Sequence, residues 1–452
     1  MNEQPVKVDR VSWQNLFPWM IIFRTLPVAT SATVLILAIL GVLVTPVGWL
    51  LSESLFINDA LRDNEPFLAK VAEINRSPYN GVLQAADNEN NYIEILGAKF
   101  SGPRLVFQRI VQPFYAIFGG NTSTREFLYF LFGSLWSMVV WSFVGVGITR
   151  VCLLRLTRDE RAGLDDAFEF GFGNCITSLL AISLPLLAVL LLCLPTFFLG
   201  LLLGFDFGTL VVGALWFVVL VISTVMAVLL LGLLFGWPLM ISSVACEGQN
   251  SFDAMTRAFA YTFQRPLNYF LYMLVAVLFG GFCWLIAFQL TEGIINLGYW
   301  STSWGANRIS ANRIELIEYG IPASSAVEES KGFGVSGAEI QSPVNSGESG
   351  ASVVDAESGT LATGRAFIGF WNGLLRTVCV AFIYGLFWCM ASAIYLLLRK
   401  DVDDTEIDEI HVVDERRTYE LPPLKSDSSG IPQVQPLEPE SQSQGSEDSD
   451  VG

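Results

Sequence analysis

A chain of 452 residues that is 52% hydrophobic and only 15% charged is too apolar for an ordinary soluble domain. Its apolar residues fall in blocks of about 20 or more, the length that crosses a bilayer, so the sequence reads as an integral membrane protein. The net charge of −17 offers nothing to nucleic acid. That charge is local: residues 399–452 carry 15 acidic against 5 basic residues, and 325–363 carry 6 acidic residues against Lys331, which leaves a nearly neutral membrane body.

Residues 1–30 open the chain with an aromatic-rich stretch punctuated by Pro18 and Pro27 and carrying Arg24, a composition suited to the headgroup layer. Its long charged leader, the length of the apolar run that follows and the lack of an A-x-A site speak against a cleaved signal. Span 1 covers 31–51. Residues 52–125 form a polar loop, charged and turn-rich at first. Its last part, Leu105 to Phe118, alternates apolar groups with Arg109 and Gln112 and predicts a second interfacial helix. The loop also holds N-x-S/T patterns at Asn75 and Asn121, meaningful only in a secretory eukaryotic context.

Span 2 covers 127–148, with Gly133 and Ser137 on one face for close helix approach. The loop 149–174 begins with Arg150, Arg155, Arg158 and Arg161, which places it in the cytoplasm by the positive-inside rule. Residues 177–240 then carry a single charge, Asp206. They read as a hairpin of span 3 (177–203) and span 4 (209–238) turning at Gly204 to Gly208, and as the packing core of the molecule. Pro185 and Pro195 bend span 3, while Gly200, Gly204 and Gly208 suit helix packing better than phosphate binding.

Residues 247–266 predict an amphipathic helix on the cytoplasmic surface. Asn250 and Asp253 resemble a capping box, Phe252, Met255, Phe259 and Phe263 share one face, and Asp253 and Arg257 form an i, i+4 pair before Arg265-Pro266 ends the helix. Span 5 covers 268–290. The outer loop 293–365 is too polar in its middle, 325–364, to order itself. Span 6 covers 378–398 and ends in Arg399-Lys400, so six spans put both termini in the cytoplasm. The acidic tail 399–452 passes Leu421-Pro422-Pro423-Leu424, a short stretch able to dock a partner, and is expected to lack order beyond Ser426.

Chemistry is sparse. No ionisable residue falls in the central part of any span; Arg376 sits where span 6 meets the outer interface and snorkels. Asp206 reads as a solvated turn residue. The single histidine, His411, lies in the tail, which excludes paired-His metal motifs and a Ser-His-Asp triad in the membrane. The acidic run Asp401 to Glu409 has Glu406 and Val412 where a calcium loop needs Gly and Glu. Arg308, Arg313, Glu315 and Glu318 form no recognisable constellation. All seven cysteines lie in or beside spans and read as small buried apolar groups. No catalytic residue, cofactor or metal site is expected.

Several landmarks together resemble an uncharacterised family of bacterial six-span integral membrane proteins. They are Leu16-Phe17-Pro18-Trp19 with Phe23-Arg24, Gly163 to Phe168, Gly236-Trp237-Pro238-Leu239-Met240, and Glu247-Gly248. The segment Ser251-Phe252-Asp253-Ala254 with Arg257, Tyr261 and Arg265-Pro266, Thr405 to Glu409, and Leu421 to Leu424 complete the set. The spans are also loosely similar to the membrane region of some glycerophosphodiester phosphodiesterases, whose catalytic barrel has no counterpart here. The resemblance implies an all-α, six-span protein of the bacterial inner membrane and supplies no reaction. The expectation is a non-enzymatic structural or interaction component whose partners are the bilayer and other proteins. Its candidate contacts are Phe252, Asp253, Met255, Arg257, Phe259, Arg265 and Leu421 to Leu424. The alternative is a channel or transporter for a small solute.

Overall fold

The computed structural model describes residues 17–58, 65–75, 79, 102–117, 123–248, 250–309, 359–405, 425–426 and 432–433. A 3-10 helix, Pro18–Arg24, leads into α1 (Thr25–Ala29), α2 (Ala32–Phe56), α3 (Glu65–Asn75), α4 (Gly102–Ile117), α5 (Thr124–Thr157) and α6 (Leu164–Leu202). There follow α7 (Asp206–Ala214), α8 (Trp216–Glu247), α9 (Ser251–Gln264), α10 (Pro266–Ile309) and α11 (Gly359–Asp403). Helices α2, α5, α6, α8, α10 and α11 are long and apolar enough to cross a membrane. They extend well past the predicted spans: α6 absorbs residues read as loop, and α11 begins at Gly359, inside the stretch expected to lack order. In the separate unit 411–452, Lys425–Ser426 pairs antiparallel with Pro432–Gln433, the second of these inside the stretch beyond Ser426 that was expected to lack order.

Two spans are central. In their most apolar stretches, 89% of α11 and 78% of α5 is buried, against 22% of α6 and 6% of α8. The hairpin of α6, α7 and α8 is therefore not the packing core that its hydrophobicity suggested. Lipid-facing and protein-facing positions of a membrane helix are equally apolar, so composition does not separate them. Only the end of α8 enters the core: Trp237 to Cys246 are buried, whereas Phe217, Leu220 and Val221 are exposed. Pro238, which lacks the N–H for an intrahelical bond, lies at this change. In the first turn of α7, a Cβ on Gly208 would lie 1.8 Å from the Leu202 carbonyl oxygen, so that residue has to be glycine. Gly200 has no neighbour within 4 Å and serves no packing.

Glycines seat aromatic rings throughout the bundle. On α2 and α5 the arrangement is reciprocal: a Cβ on Gly48 would fall 2.0 Å from the Trp136 ring, and one on Gly133 would fall 2.3 Å from the Trp49 ring. Trp136 Nε1 donates to Val44 O at 3.0 Å, and Ser52 Oγ to Tyr129 O at 2.8 Å. Gly145 of α5 likewise receives Trp388 of α11.

Helix α4 does not lie on the interface as predicted. Its first residues are driven into the bundle: a Cβ on Gly102 would meet Trp284 at 2.7 Å and Ile383 at 3.0 Å, and one on Gly280 would meet Pro103 at 2.3 Å. These partners sit near the middle of α10 and α11. Val106 and Pro113 are buried, and Phe107 packs on Trp237. The 3-10 helix also leans inward, burying Ile21 and Ile22 and setting Phe23 edge-on to Phe279 at 4.8 Å. Phe17 and Met20 remain exposed.

Filling a seated glycine overpacks a contact that lipid cannot relieve, at a cost of about 1–3 kcal/mol. Gly48→Ala and Gly133→Ala should lower the detergent-solubilised melting temperature, while Gly298→Ala, where nothing lies within 4 Å, should not; equal melting of all three would contradict this packing scheme.

Candidate functional site

The end of the bundle that carries Arg150 and Arg399, here called the basic end, gathers most of the partnered ionisable groups. Helix α8 stops there because Gly248 adopts a left-handed conformation (φ 61°) and its N–H closes on Val244 O at 3.0 Å. The turn leaves Glu247 inside, with its side chain only 9% exposed. Arg257 of α9 approaches both carboxylate oxygens at 2.7 Å, and Arg399 Nε of α11 lies 3.2 Å from Oε1. The Tyr395 hydroxyl donates to Glu247 Oε1 at 2.9 Å and lies 3.2 Å from Ser243 Oγ. One carboxylate therefore joins three helices. Arg399 Nη1 also reaches Cys246 Sγ at 3.7 Å, and Arg150 Nη1 of α5 donates to Ala245 O at 3.0 Å, satisfying a carbonyl that the helix end would leave open. Arg150 stacks over the Phe170 ring at 4.6 Å.

The end of α11 extends this network. Tyr261 donates to Asp403, and Arg257 stands 3.8 Å from the same carboxylate. Asp401 accepts from Asn268 at 3.0 Å and from Tyr272 at 2.8 Å, tying α11 to α10. Burial first, and then the Asp403 carboxylate, push the Tyr261 phenol above its ordinary range, so it stays a neutral donor. Burial, the largest single effect, would lower Arg257, but Glu247, Tyr395 and Tyr261 together outweigh it and the guanidinium is held in its charged form.

The phenylalanine face of α9 is only partly buried. The buried residues of the helix are Ala254, Ala258, Tyr261 and Thr262. Ala258, Thr262 and Phe259 pack on Gly232 and Gly236 of α8, so the helix runs back along that span. Met255 and Phe259 are half-buried against the core, whereas Phe252 (61%) and Phe263 (43%) stay exposed. Asn250 occupies the N-cap position without a capping hydrogen bond, so the predicted box does not form. Arg257 turns to Glu247 and Asp403 in place of the predicted Asp253, and Asp253 and Arg265 remain on the surface. Leu421, Pro422, Pro423, Leu424, Asn121, Arg313, Glu315 and Glu318 lie outside the described residues, as do the side chains of Asn75 and Arg308.

At the opposite end Arg376 does not simply snorkel. Its Nε lies 3.5 Å from Glu292 Oε1 of α10, and its guanidinium sits over the Tyr79 ring at 5.5 Å. Tyr79 is 1% exposed, packs against Phe288 at 4.7 Å and donates to the same carboxylate. Burial and Glu292 raise its phenol and keep it protonated. The triad pins the loop before α4 to α10 and α11. The signal available in the sequence was Glu292 itself, an acid near the end of an apolar helix; its partners come from two distant segments.

A third feature is a cavity of about 290 Å³ between α4, α5, α6 and α8. Among the described residues no group of three His, Cys, Asp or Glu side chains could hold a metal, and the seven cysteines are unpaired. Comparison of the chain with family models, curated proteins and solved structures finds no match.

Removing the Glu247 carboxylate leaves two guanidinium groups, one of them buried, without their counter-charge, and breaking a buried pair from one side costs about 3–5 kcal/mol. Glu247→Ala should therefore melt far below wild type. Arg257→Ala, which truncates a side chain 39% exposed, should cost under about 1 kcal/mol. The order of the two melting temperatures checks the assignment of Glu247 as the hub.

Proposed function

We propose that this is a non-enzymatic structural or interaction component of a bacterial inner membrane, with both termini in the cytoplasm. The orientation follows from charge: Arg150, Arg155, Arg158, Arg161, Arg399 and Lys400 cluster next to spans, and Arg150 and Arg399 both reach the last turn of α8. The resemblance described from sequence points the same way on localisation.

The observation that carries the reading is the use made of the charged groups. Glu247, Asp403, Arg257 and Arg399 are engaged with one another across α8, α9 and α11, which makes a fixed platform rather than a reactive pocket. On its outer side this platform offers Phe252, Asp253, Phe263 and Arg265. The acidic sequence after Thr405 is a second candidate contact, opposite in sign to the arginines that flank the spans. The reading assigns no catalytic residue, cofactor or metal.

A channel or transporter, or a subunit of one, is the second reading. It is favoured by α4, a helix too short to span that penetrates to the middle of α10 and α11. Such helices are tolerated at depth when they are enclosed by protein, and in transporters their ends face the substrate.

Asp401 and Asp403 belong to the platform, so the informative truncation removes 406–452 and leaves them in place. With photo-crosslinking groups at Phe252 and Phe263, the full chain should give discrete protein adducts, and the truncated chain should insert and melt normally while losing them. Adducts to lipid alone, or an unchanged adduct profile, would count against the interaction reading. Saturable solute flux in reconstituted vesicles would replace it with the second.

A further inference from the structure

The cavity between α4, α5, α6 and α8 lies wholly among elements of the apolar bundle. Ile110, Val111 and Phe114 of α4 form one wall, Met138 and Trp141 of α5 another, and Ile182, Leu186, Leu234 and Trp237 close it. Three serines are among the lining residues, yet they give an occupant almost nothing polar. Ser134 Oγ donates to Phe130 O at 2.6 Å and Ser137 Oγ to Gly133 O at 2.8 Å, both within their own helix. Ser142 Oγ and Trp237 Nε1 are buried without a hydrogen-bond partner and show no accessible surface to the cavity. Water needs two to four polar partners to be held in such a space, and a hydrophilic solute needs more. What the walls present is methyl, methylene and aromatic carbon.

The rim identifies the source of an occupant. Leu230 and Leu231 of α8 and Tyr115 of α4 line the cavity and are themselves exposed, at 38%, 48% and 66%. The cavity thus continues to the lateral surface of helices that stand in hydrocarbon. Its volume accommodates about ten methylene-sized groups at roughly 30 Å³ each. Tyr115 is the one rim residue with both a ring and a hydroxyl, the combination found where a membrane passes from hydrocarbon to headgroup.

We propose that this cavity is a binding site for one acyl chain of a bilayer phospholipid, which enters between α4 and α8 with its headgroup at the Tyr115 rim. The chain completes the contact between α4 and the hairpin, so the lipid is an integral part of the wall around α4 and not a passing neighbour.

The test uses the full chain. After purification in detergent and exhaustive washing, native mass spectrometry should find one phospholipid retained per chain, and Ala227→Phe, which fills the cavity at a lining position, should reduce that retention at least tenfold. In vesicles of phosphatidylcholine with brominated acyl chains, Trp141 and Trp237 should be quenched in wild type, and that component should disappear in Ala227→Phe while the remaining quenching persists. Brominated free fatty acid added in detergent should not reproduce the quenching. Unchanged circular dichroism and monodisperse elution qualify the variant; if it fails them, Ala227→Leu replaces it. No retained lipid in wild type, equal retention and quenching in the variant, or full quenching by free fatty acid would overturn the proposal.

Discussion

Helices surrounded by hydrocarbon gain little from hiding apolar surface from one another, so a bundle of this kind depends on shape. Here the shape is a ring set on a glycine. Trp49 on Gly133 and Trp136 on Gly48 lock α2 to α5, Trp388 on Gly145 locks α11 to α5, and Phe259 and Phe263 on Gly232 bring α9 to α8. Each contact joins the largest side chains to positions with none, which maximises dispersion contacts where no water is expelled to assist. The two central helices, α5 and α11, are the ones through which these contacts pass.

Packing alone leaves the ends of long helices free to slide, and the two ion-pair clusters oppose that. At the basic end Glu247 ties α8, α9 and α11, with Asp401 and Asp403 extending the tie to α10 and α9. At the other end Glu292 ties α10, α11 and the loop residue Tyr79. Both hubs are carboxylates that accept from a tyrosine as well as facing an arginine. A phenol adds a hydrogen bond without adding charge, which lowers the cost of enclosing the anion. Both hubs lie toward the ends of their spans, where the desolvation cost of an ion is smaller than at mid-bilayer.

The six spans were legible in the sequence because their length and hydrophobicity carry the information. Which of them would be central was not legible. Positions such as Leu201 and Leu202, exposed on the hairpin, differ in no chemical respect from Leu396 and Leu397, buried at the core. Helix α9 was recognisable from its phenylalanine period and Pro266, but the face it buries was not: large residues mark a core face in water, whereas Ala254 and Ala258 mark it here because close approach decides. The helical character of α4 was visible and its depth was not, since Gly280, Trp284 and Ile383 come from two other spans. Glu247 stood out only as a landmark beside Gly248. Its role as a hub needed Arg399, Tyr395 and Arg257 brought together by the fold.

The position of α4 also bears on the order in which the protein assembles. The pocket that receives Gly102 and Pro103 is built from α10 and α11, which leave the ribosome long after α4 does. During synthesis α4 therefore has no site to enter, and its arginine-bearing, amphipathic sequence is not one that the membrane would accept alone. It docks only once α11 is in place. The last of the long apolar helices to be made thus completes the site of one of the first segments made.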